Sequence, residues 1–348
     1  MAVVATEAVA PVTPTELMQE LSYLLELGIP IWVWGAPGGG KTSIIKKAAE
    51  DNGFECPTMP PAVTLDPTDL RGIPYLNTDD KSDNRTSWAV PDFWPMDPEW
   101  KGVIFVDELP QAPPLVQSGF MQLTYGGRLG SYIKPEKAVF VVAGNRREDR
   151  AGTHAVITPL LNRFMHRDLV MSAPCWQKWA REEGLNSIVR TYLAAYPQYL
   201  SMFDPSSGDR AFPSPRSWEM AARVVDVAPE NRRFSNVSGI IGVGQAAELE
   251  AFITLRHQLP DRSEIYANPD TATVPENPSV TWALCSAISD DAKHLKMPQL
   301  KAAMRYASRI GADYGVLLVR DMAQVAPTVL NTPEGAVWLK NNRDILVD

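Results

Sequence analysis

The sequence predicts an α/β fold in which helices cover both faces of a parallel sheet, followed by a region made of helices. Between Thr13 and Met171, short apolar segments alternate with amphipathic ones, which is the pattern of consecutive βαβ units. Beyond Pro174, helical stretches follow one another with no strand between them. This change of pattern indicates a domain boundary near residues 172–174.

The first elements alternate between helix and strand. Apolar residues three or four apart predict a helix over 14–27, with Thr13 as its N-cap and Pro14 at its first position. Residues 29–34 are expected to form a short buried strand, and residues 42–52 the helix after it. Residues 61–65 are expected to form a second strand.

The remaining elements are taken in chain order. Residues 66–99 are rich in Pro, Asp, Asn and Ser and are expected to form an irregular insert with short elements. The later segments are predicted as a strand at 102–106, a helix at 114–124, a turn or hairpin at 125–130, a strand at 138–143, a helix at 156–164 and a strand at 167–171. In the second region we expect helical stretches at 176–199, 217–227 and 243–259, a linker or long loop at 261–279, and helices that include 299–310 and 314–325.

The composition is that of a soluble globular protein. The chain has 348 residues, of which 45% are hydrophobic and 21% charged, and its formal net charge is −8. An acidic chain is a poor candidate for non-specific binding to a nucleic-acid backbone. No apolar run approaches the ~18–20 residues that a membrane span requires. The three cysteines have neither metal-ligand nor disulfide spacing, so we expect reduced thiols and a cytoplasmic location.

The most informative segment is Gly35-Ala36-Pro37-Gly38-Gly39-Gly40-Lys41-Thr42, which fits the phosphate-binding pattern G-x-x-x-x-G-K-[ST]. Because it lies between a predicted strand and a predicted helix, its backbone N–H groups would face a polyanion. Lys41 is expected to reach the β- and γ-phosphates, and the Thr42 hydroxyl to bind Mg²⁺. A glycine-rich turn that binds nothing is the alternative. The expected nucleotide-binding residues are Gly35, Pro37, Gly38, Gly39, Gly40, Lys41, Thr42 and Ser43.

Acidic residues follow the strand at 102–106. Asp107 and Glu108 come directly after its last valine. Beside a phosphate-binding loop, Asp107 would hold Mg²⁺ and Glu108 would act as the general base toward water, since phosphoryl transfer needs charge neutralisation and a positioned nucleophile. The alternative is a solvated acidic turn, which is the more frequent meaning of an isolated Asp-Glu pair.

Three further polar residues are candidates for contact with the phosphates. Asn145 follows the strand at 138–143 and can orient water or touch the γ-phosphate; otherwise it serves a turn. Arg163 lies at the end of the next helix, where it could reach a nucleotide bound to a neighbouring subunit, with Arg167 as the competing candidate. Arg216 opens a helix of the second region and could touch the phosphates from there. A surface cation at a helix end, for Arg163, and an arginine packed on Trp218, for Arg216, are the alternatives.

These segments resemble the AAA+ ATPases, and within them the MoxR-like branch. Residues 107–118, Asp-Glu-Leu-Pro-Gln-Ala-Pro-Pro-Leu-Val-Gln-Ser, are similar to that branch's extended Walker B segment. Residues 69–72, Asp-Leu-Arg-Gly, and 159–164, Pro-Leu-Leu-Asn-Arg-Phe, resemble its segment before the helix-2 insert and its finger region. The resemblance extends from about Thr13 to Leu259. Three positions depart from it: Arg146 follows Asn145 where Pro is frequent, Gln111 replaces Arg, and Asn162 replaces Asp.

The resemblance implies a role for each candidate. Lys41 and Thr42 would form Walker A, Asp107 and Glu108 Walker B, Asn145 sensor 1, Arg163 the arginine finger and Arg216 sensor 2. It also implies a hairpin at about 126–137 and assembly into a ring, commonly a hexamer. The expected organisation is a flexible arm at 1–12, an AAA+ nucleotide-binding domain at 13–173, an α-helical lid at 174–260, and a linker with a C-terminal helical extension at 261–348.

The functional expectation is a ring-forming, Mg-ATP-dependent motor of chaperone type that remodels or activates a protein client. Related members often act with a protein carrying a von Willebrand A domain, and that partner would be a separate chain. The alternative is a motor or loader on nucleic acid, for which Arg128, Lys134, Arg146 and Arg147 could line a channel. A nucleotide-gated scaffold with negligible turnover is a third option, which the presence of Glu108 disfavours.

Overall fold

The computed structural model describes residues 9, 11–76, 86–149, 152, 154–257, 259 and 261–342. These residues divide into two compact units. The first contains the described residues up to Cys175 together with Phe203–Gly208, and the second contains Trp176–Met202 and the described residues from Asp209 onward. No helix in these ranges is long and apolar enough to cross a membrane.

The first unit is built on a parallel sheet, which confirms the predicted α/β class. Within the described ranges the strands are β1 Pro11–Val12, β2 Ile31–Trp34, β3 Ile73–Leu76, β4 Thr86–Ala89, β5 Gly102–Val106, β6 Arg128–Leu129, β7 Tyr132–Ile133, β8 Ala138–Gly144 and β9 Met165–Leu169. Five of them form the main sheet in the order β1-β9-β2-β8-β5, with every pair parallel. Since β8 lies between β2 and β5, the carboxyl ends of these three strands meet at one edge.

Helices cover both faces of this sheet. They are α1 Pro14–Leu24, α2 Lys41–Asp51, α3 Pro67–Arg71, α4 Pro114–Gly126 and α5 Thr158–Leu161. Ile31 and Val33 point to the face that packs with buried residues of α1 and α2, whereas Trp32 belongs to a second cluster with α4. Because successive strand residues point to opposite faces, a strand buried on both sides is apolar throughout, and β5 and β8 are buried along their whole length.

Two hairpins extend the first unit. β3 pairs with β4, and α3 precedes them; β6 pairs with β7 directly after α4. Trp88 of β4 donates its backbone N–H to the Ser131 hydroxyl at 2.9 Å, so the two hairpins contact each other. The irregular insert expected at 66–99 is therefore a short helix and a hairpin where it is described, and residues 77–85 lie outside the described part of the chain. The hairpin expected at about 126–137 is present as β6 and β7.

Several sequence-based boundaries were wrong. The strand expected at 61–65 is a 3₁₀ turn, Ala62–Thr64, because Pro60 and Pro61 have no N–H for a strand ladder. The last strand begins at Met165 rather than Arg167, and α5 covers only part of the predicted 156–164 helix. The end of the predicted flexible arm is also ordered, because Pro11 and Val12 pair with Asp168 and Leu169. The rest of that arm, apart from residue 9, lies outside the described residues.

The second unit is made of helices, and the first of them begins in the last three residues of the first unit before Phe203. The helices are α6 Ala173–Glu182, α7 Ser187–Ala195, α8 Pro215–Val227, α9 Glu230–Ile241, α10 Val243–His257, α11 Arg262–Ala267, α12 Pro278–Asp291, α13 Met297–Ala307, α14 Ala312–Val325 and α15 Pro333–Asn341. The linker expected at 261–279 is instead anchored, because α11 buries Ile265 and the next turn buries Ala272 in the core around α12 to α14. α9 was not predicted. α12 packs against α7 and α10, which lie in the predicted lid, and against α14, which lies in the predicted C-terminal extension.

Candidate nucleotide-binding site

The loop between β2 and α2 has the conformation that its glycines require. Gly38 and Gly40 have φ of 73° and 82°, in the left-handed region where a Cβ is strained. The Gly35 N–H donates to the Gly144 carbonyl of β8 at 3.2 Å, which ties the start of the loop to the central strand. α2 begins after Gly40 with no side-chain cap, so the N–H groups of its first turn face outward as donors for an anion.

Lys41 connects the loop to the end of β8. Its ammonium is buried and donates to the carbonyls of Gly35 at 2.7 Å and Ala36 at 3.1 Å, and to Asn145 Oδ1 at 3.0 Å. These two side chains are 104 positions apart in the chain. The sheet order explains their meeting, since Lys41 follows β2 and Asn145 ends the neighbouring strand β8. The residues expected at the γ-phosphate are therefore in direct contact.

Thr42 and Asp107 form a second contact between the loop region and the sheet edge. The Thr42 hydroxyl donates to Asp107 Oδ2 at 2.8 Å, across 65 positions of sequence. A hydroxyl and a carboxylate at this separation are hard oxygen ligands of the kind that Mg²⁺ takes beside phosphate oxygens. The donor set therefore fits the predicted ion, with Thr42 and Asp107 as the two residues that would hold it.

Glu108 begins the turn after β5 in an unusual backbone conformation. Its φ is 59°, the one positive value at a residue other than glycine in the part of the chain that the structure describes. Its N–H donates to Asp107 Oδ1 at 3.0 Å, and a 3₁₀ turn, Leu109–Gln111, follows. The conformation turns the chain sharply at the sheet edge, where Glu108 is half-exposed and follows Asp107 directly.

The other predicted loop residues have simpler environments. Pro37 is half-buried in the loop and Ser43 is exposed in the first turn of α2. Gly39 is buried, and a Cβ placed on it would lie 2.3 Å from Met171 Cε. Gly35 has more room, although its Cβ would lie 3.1 Å from the Leu169 carbonyl oxygen, a backbone atom. The end of β9 thus covers the loop from one side.

The two candidate finger arginines differ in their partners. Arg167 of β9 forms an ion pair with Glu20 of α1 at 2.6 Å and also donates to the His166 carbonyl. Arg163 follows α5, donates to the Pro159 carbonyl, and lies over the Tyr125 ring at 5.2 Å from the centroid. Its Nε is buried without a hydrogen-bond partner in the described structure. Arg167 is therefore held by a carboxylate within its own chain, whereas the groups that hold Arg163 are neutral.

Arg216 belongs to the second unit. It is exposed in the first turn of α8, where Ser214 caps the helix and forms a capping box with Ser217. Trp218 is fully buried and donates its indole N–H to the Tyr199 carbonyl at 2.8 Å. The cap explains why the helix starts here and leaves Arg216 on its exposed side.

Sequence analysis missed residues that pack against the candidate site residues or hold their neighbours in place. Gly144, just before Asn145, has no room for a side chain, because a Cβ there would lie 2.4 Å from Pro110 Cγ. Arg146 is held by Asp149, which accepts from its backbone N–H at 2.9 Å and pairs with its guanidinium at 3.3 Å. Burial raises the pKa of the Asp168 carboxyl at the end of β9, and the charge of Arg146 partly opposes this. An Asp three positions after Arg146 was the available signal for the first of these pairs.

Comparisons with known proteins give only distant similarities. No protein-family model matches the chain, and no curated protein matches it. Among solved structures, it is similar to NtrX from Brucella abortus in complex with ADP, with 13% identity over 94% of this chain and 68% of that chain and a TM-score of 0.41. It is also similar to a mutant of RuvB from Thermotoga maritima, with 13% identity over 83% of this chain and 86% of that chain and a TM-score of 0.37. Similarity this distant says nothing about function, so function is inferred from the site residues.

Proposed function

We propose that this chain is a Mg-ATP-dependent ATPase of the MoxR-like AAA+ type that works as a ring, commonly a hexamer, and remodels or activates a partner protein. The observation that carries the proposal is one cluster at the sheet edge. Lys41 contacts Asn145, Thr42 contacts Asp107, and Glu108 adjoins Asp107. Phosphoryl transfer requires these functions together: phosphate binding, a metal-binding pair, and a base.

Each side chain has one role in this proposal. The loop N–H groups and Lys41 bind and orient the β- and γ-phosphates of ATP. Thr42 and Asp107 would hold Mg²⁺, which would supply positive charge to neutralise the phosphate oxygens. Glu108 accepts a proton from the water whose oxygen bonds to the γ-phosphorus, while the bond from that phosphorus to the β–γ bridging oxygen breaks. Asn145 orients this water, and ADP and phosphate leave.

Arg163 of one subunit is proposed to act on the nucleotide of the next. In the described structure its guanidinium contacts the Tyr125 ring and the Pro159 carbonyl and forms no ion pair with a carboxylate. A guanidinium in that state can bind phosphate bidentately. Arg216 is proposed as sensor 2 from the family resemblance alone. A client protein would contact the hairpins β3–β4 and β6–β7, and a separate von Willebrand A-domain protein is the proposed partner.

The nucleic-acid alternative loses support from the contacts of its proposed cations. Lys134 donates to the carbonyls of Pro135 and Ala138, and burial lowers the pKa of its amine. Arg146 is engaged by Asp149. Arg128 is exposed but donates its Nε–H to the Gly130 carbonyl at 3.2 Å. Three of the four candidate channel cations therefore make contacts within the chain.

The catalytic assignment is tested by Glu108→Gln. The variant is expected to bind ATP with wild-type affinity, because Lys41 and the loop are unchanged, and to lose turnover by about 10²–10⁴-fold, the usual contribution of a general base. Calorimetric titration with Mg-ATP and a phosphate-release assay measure the two quantities. Wild-type turnover in the variant would remove Glu108 from its role, and an absence of binding heat in wild type would overturn the proposal.

The arrangement between subunits is tested by mixing variants. Arg163→Ala and Glu108→Gln proteins are each expected to be inactive, but a mixed ring contains sites with Glu108 from one subunit and Arg163 from the next. Turnover should therefore reappear on mixing. The same mixture made with Arg167→Ala in place of Arg163→Ala is the matched comparison. If mixing restores nothing with Arg163→Ala while both proteins form rings, Arg163 does not act in trans.

A further inference from the structure

Two tryptophans of the strand before the phosphate-binding loop stack on one another. Trp32 and Trp34 are two positions apart on β2, so their side chains share one face of the sheet. Their rings are nearly parallel, at 7°, with centroids 4.7 Å apart. On the neighbouring strand, His166 pairs in register with Trp32, and its ring lies 6.1 Å from that of Trp34. Aromatic packing thus joins β2 to β9 directly beneath the loop.

Hydrogen bonds give the histidine one orientation. The Trp34 indole nitrogen lies 3.0 Å from His166 Nδ1, and His166 Nε2 lies 2.9 Å from the Leu161 carbonyl oxygen. An indole N–H only donates, so Nδ1 accepts and carries no proton. The proton of the neutral ring is then on Nε2, which donates to Leu161. Both ring nitrogens are therefore used, and the imidazole bridges the last residue of β2 to the last residue of α5.

Arg163 lies between two residues fixed in this way. Leu161 accepts from His166, and Phe164 packs edge-on against Trp32 at 5.3 Å and 81°. The Phe164 ring is buried, as is that of Trp32. The chain is thus held on both sides of Arg163. Leu161 is linked to Trp34 through His166, and Phe164 packs against Trp32. Trp34 is followed directly by Gly35, the first residue of the loop. A displacement of the loop would therefore move Trp34, and the contacts of Trp34 and Trp32 would pass that movement to the residues on either side of Arg163.

We propose that Trp32, Trp34, Phe164 and His166, the aromatic link, position Arg163 according to the state of the phosphate-binding loop in the same subunit. His166 is the positioning residue, because its two ring nitrogens join Trp34 to the α5 carbonyl by hydrogen bonds. The inference rests on the proposed role of Arg163 at the next subunit's nucleotide. Its consequence is that occupancy of one site controls turnover at its neighbour, which gives cooperative hydrolysis.

The first experiment tests the two hydrogen bonds of His166 separately. His166→Ala removes both hydrogen bonds, His166→Asn keeps an acceptor near Nδ1, and His166→Gln keeps a donor near Nε2. We expect His166→Ala to lower kcat about tenfold or more with KM for ATP within about twofold of wild type, since the interaction lost acts on the transition state. The Hill coefficient should fall toward 1, and His166→Asn and His166→Gln should each restore only part of the loss. Trp34→Phe keeps a stacked ring without the N–H and should reproduce the loss of cooperativity.

The second experiment is a double-mutant cycle with Arg163→Ala. If His166 acts only through Arg163, the double variant turns over at the rate of Arg163→Ala alone, and the interaction energy equals the full effect of His166→Ala. An additive loss would overturn the link, because His166 would then act elsewhere, for example on its own loop through Trp34. Melting temperature and ring assembly are measured for every variant, so that only folded rings enter the cycle.

Failure of the link and failure of the proposed function give different results. If Arg163→Ala itself retains wild-type turnover, the in-trans arginine is wrong. If Arg163→Ala is inactive while folded His166→Ala and Trp34→Phe rings show wild-type kcat and cooperativity, the arginine stands and the aromatic link is wrong.

Discussion

The backbone of Glu108 is the residue-scale feature with the clearest energetic consequence. An L-residue in the left-handed region places its Cβ against its own carbonyl group, which costs roughly 1–2 kcal/mol. Glu108 carries a Cβ, unlike glycine, and its φ is 59°, so it bears this cost. Its N–H bond to Asp107 Oδ1 and the 3₁₀ turn after it keep the strained form. This conformation ends the strand at the sheet edge, next to Asp107.

We therefore predict that Glu108→Gly is more stable than Glu108→Ala. Glycine removes the Cβ strain, and this outweighs its greater chain entropy in the unfolded state, so the expected difference is about 1 kcal/mol. In a unit of this size such a difference is about 2–4 °C in melting temperature. Gln122, exposed in the middle of α4, supplies the matched control, where Ala should be the more stable substitution. The same order at both positions would contradict strain at Glu108.

Single residues of the candidate site could be proposed from the sequence where the signal was local. Lys41, Thr42, Asp107 and Glu108 lie in motifs whose spacing is fixed by one loop and one strand end. The Lys41–Asn145 contact depends on which strands are neighbours, and only the α/β pattern indicated it. The left-handed backbone of Glu108 was not predictable, because nothing in a glutamate's own preference favours that conformation.

At the scale of elements, α1 depends on a capping box. Glu16 donates its N–H to the Thr13 hydroxyl at 3.4 Å, and its carboxylate accepts from the Thr13 backbone N–H at 2.7 Å. That backbone bond, with the hydroxyl bond beside it, lowers the pKa of Glu16 from its usual 4.5. The box starts α1 directly after β1, so it also fixes where the chain leaves the sheet.

The capping box gives α1 a pH dependence of known sign. A carboxyl whose pKa is lowered by folding stabilises the folded state above its unfolded pKa, and the contribution is lost as pH falls through the folded value. Glu16→Ala should therefore lower the melting temperature at pH 7, and its effect should shrink progressively as the pH falls below the usual pKa of 4.5. Thr13→Ala should cost about 1 kcal/mol at pH 7. Glu50→Ala, at an exposed position on α2, is the control, and an equal effect of Glu16→Ala at pH 7 and well below this pKa would exclude the box.

Three helices of the second unit meet at a buried ionic cluster. Asp321 of α14 accepts from Arg181 of α6 at 2.7 Å and from Arg190 of α7 at 3.0 Å. Asp321 and Arg190 are 3% and 8% exposed, so water screens the two charges little. Helical periodicity predicted helices here but not this cluster. A charged residue on a helix usually marks the face exposed to solvent, and the partners are over 130 positions apart in the chain.

Removal of the shared carboxylate should destabilise this unit strongly. Asp321→Ala leaves two guanidinium groups near each other without a counter-charge, and we expect a cost of about 3–5 kcal/mol. The triple variant Arg181→Met, Arg190→Leu and Asp321→Leu should be more stable than Asp321→Ala, because it removes the unpaired charges as well. Denaturant unfolding measures both. A triple variant no more stable than the single one would show that packing, not charge, holds these helices together.

At the scale of the whole molecule, the two units have separate cores. The sheet of the first unit buries one cluster on each face, and the second unit has its own cluster around α11 to α15. The sequence predicted the change from alternating to purely helical structure, because hydrophobic periodicity reports it directly. It did not predict that α7 and α10 pack with α12, since contacts between helices distant in sequence leave no periodic signal.

Separate cores predict that nucleotide stabilises the molecule unevenly. A ligand that binds only the folded first unit stabilises it by RT ln(1 + [L]/Kd), which is about 2.7 kcal/mol at a hundredfold excess over Kd. Hydrogen exchange read by mass spectrometry should therefore show a roughly hundredfold slowing in β5 and β8, where exchange requires opening of that core. The buried helices α12 and α14 serve as the internal reference, and we expect them to change far less. In Lys41→Ala the slowing should vanish. Equal protection of β5 and α14 would mean that both cores open as one cooperative body, and the division into two units would not hold in solution.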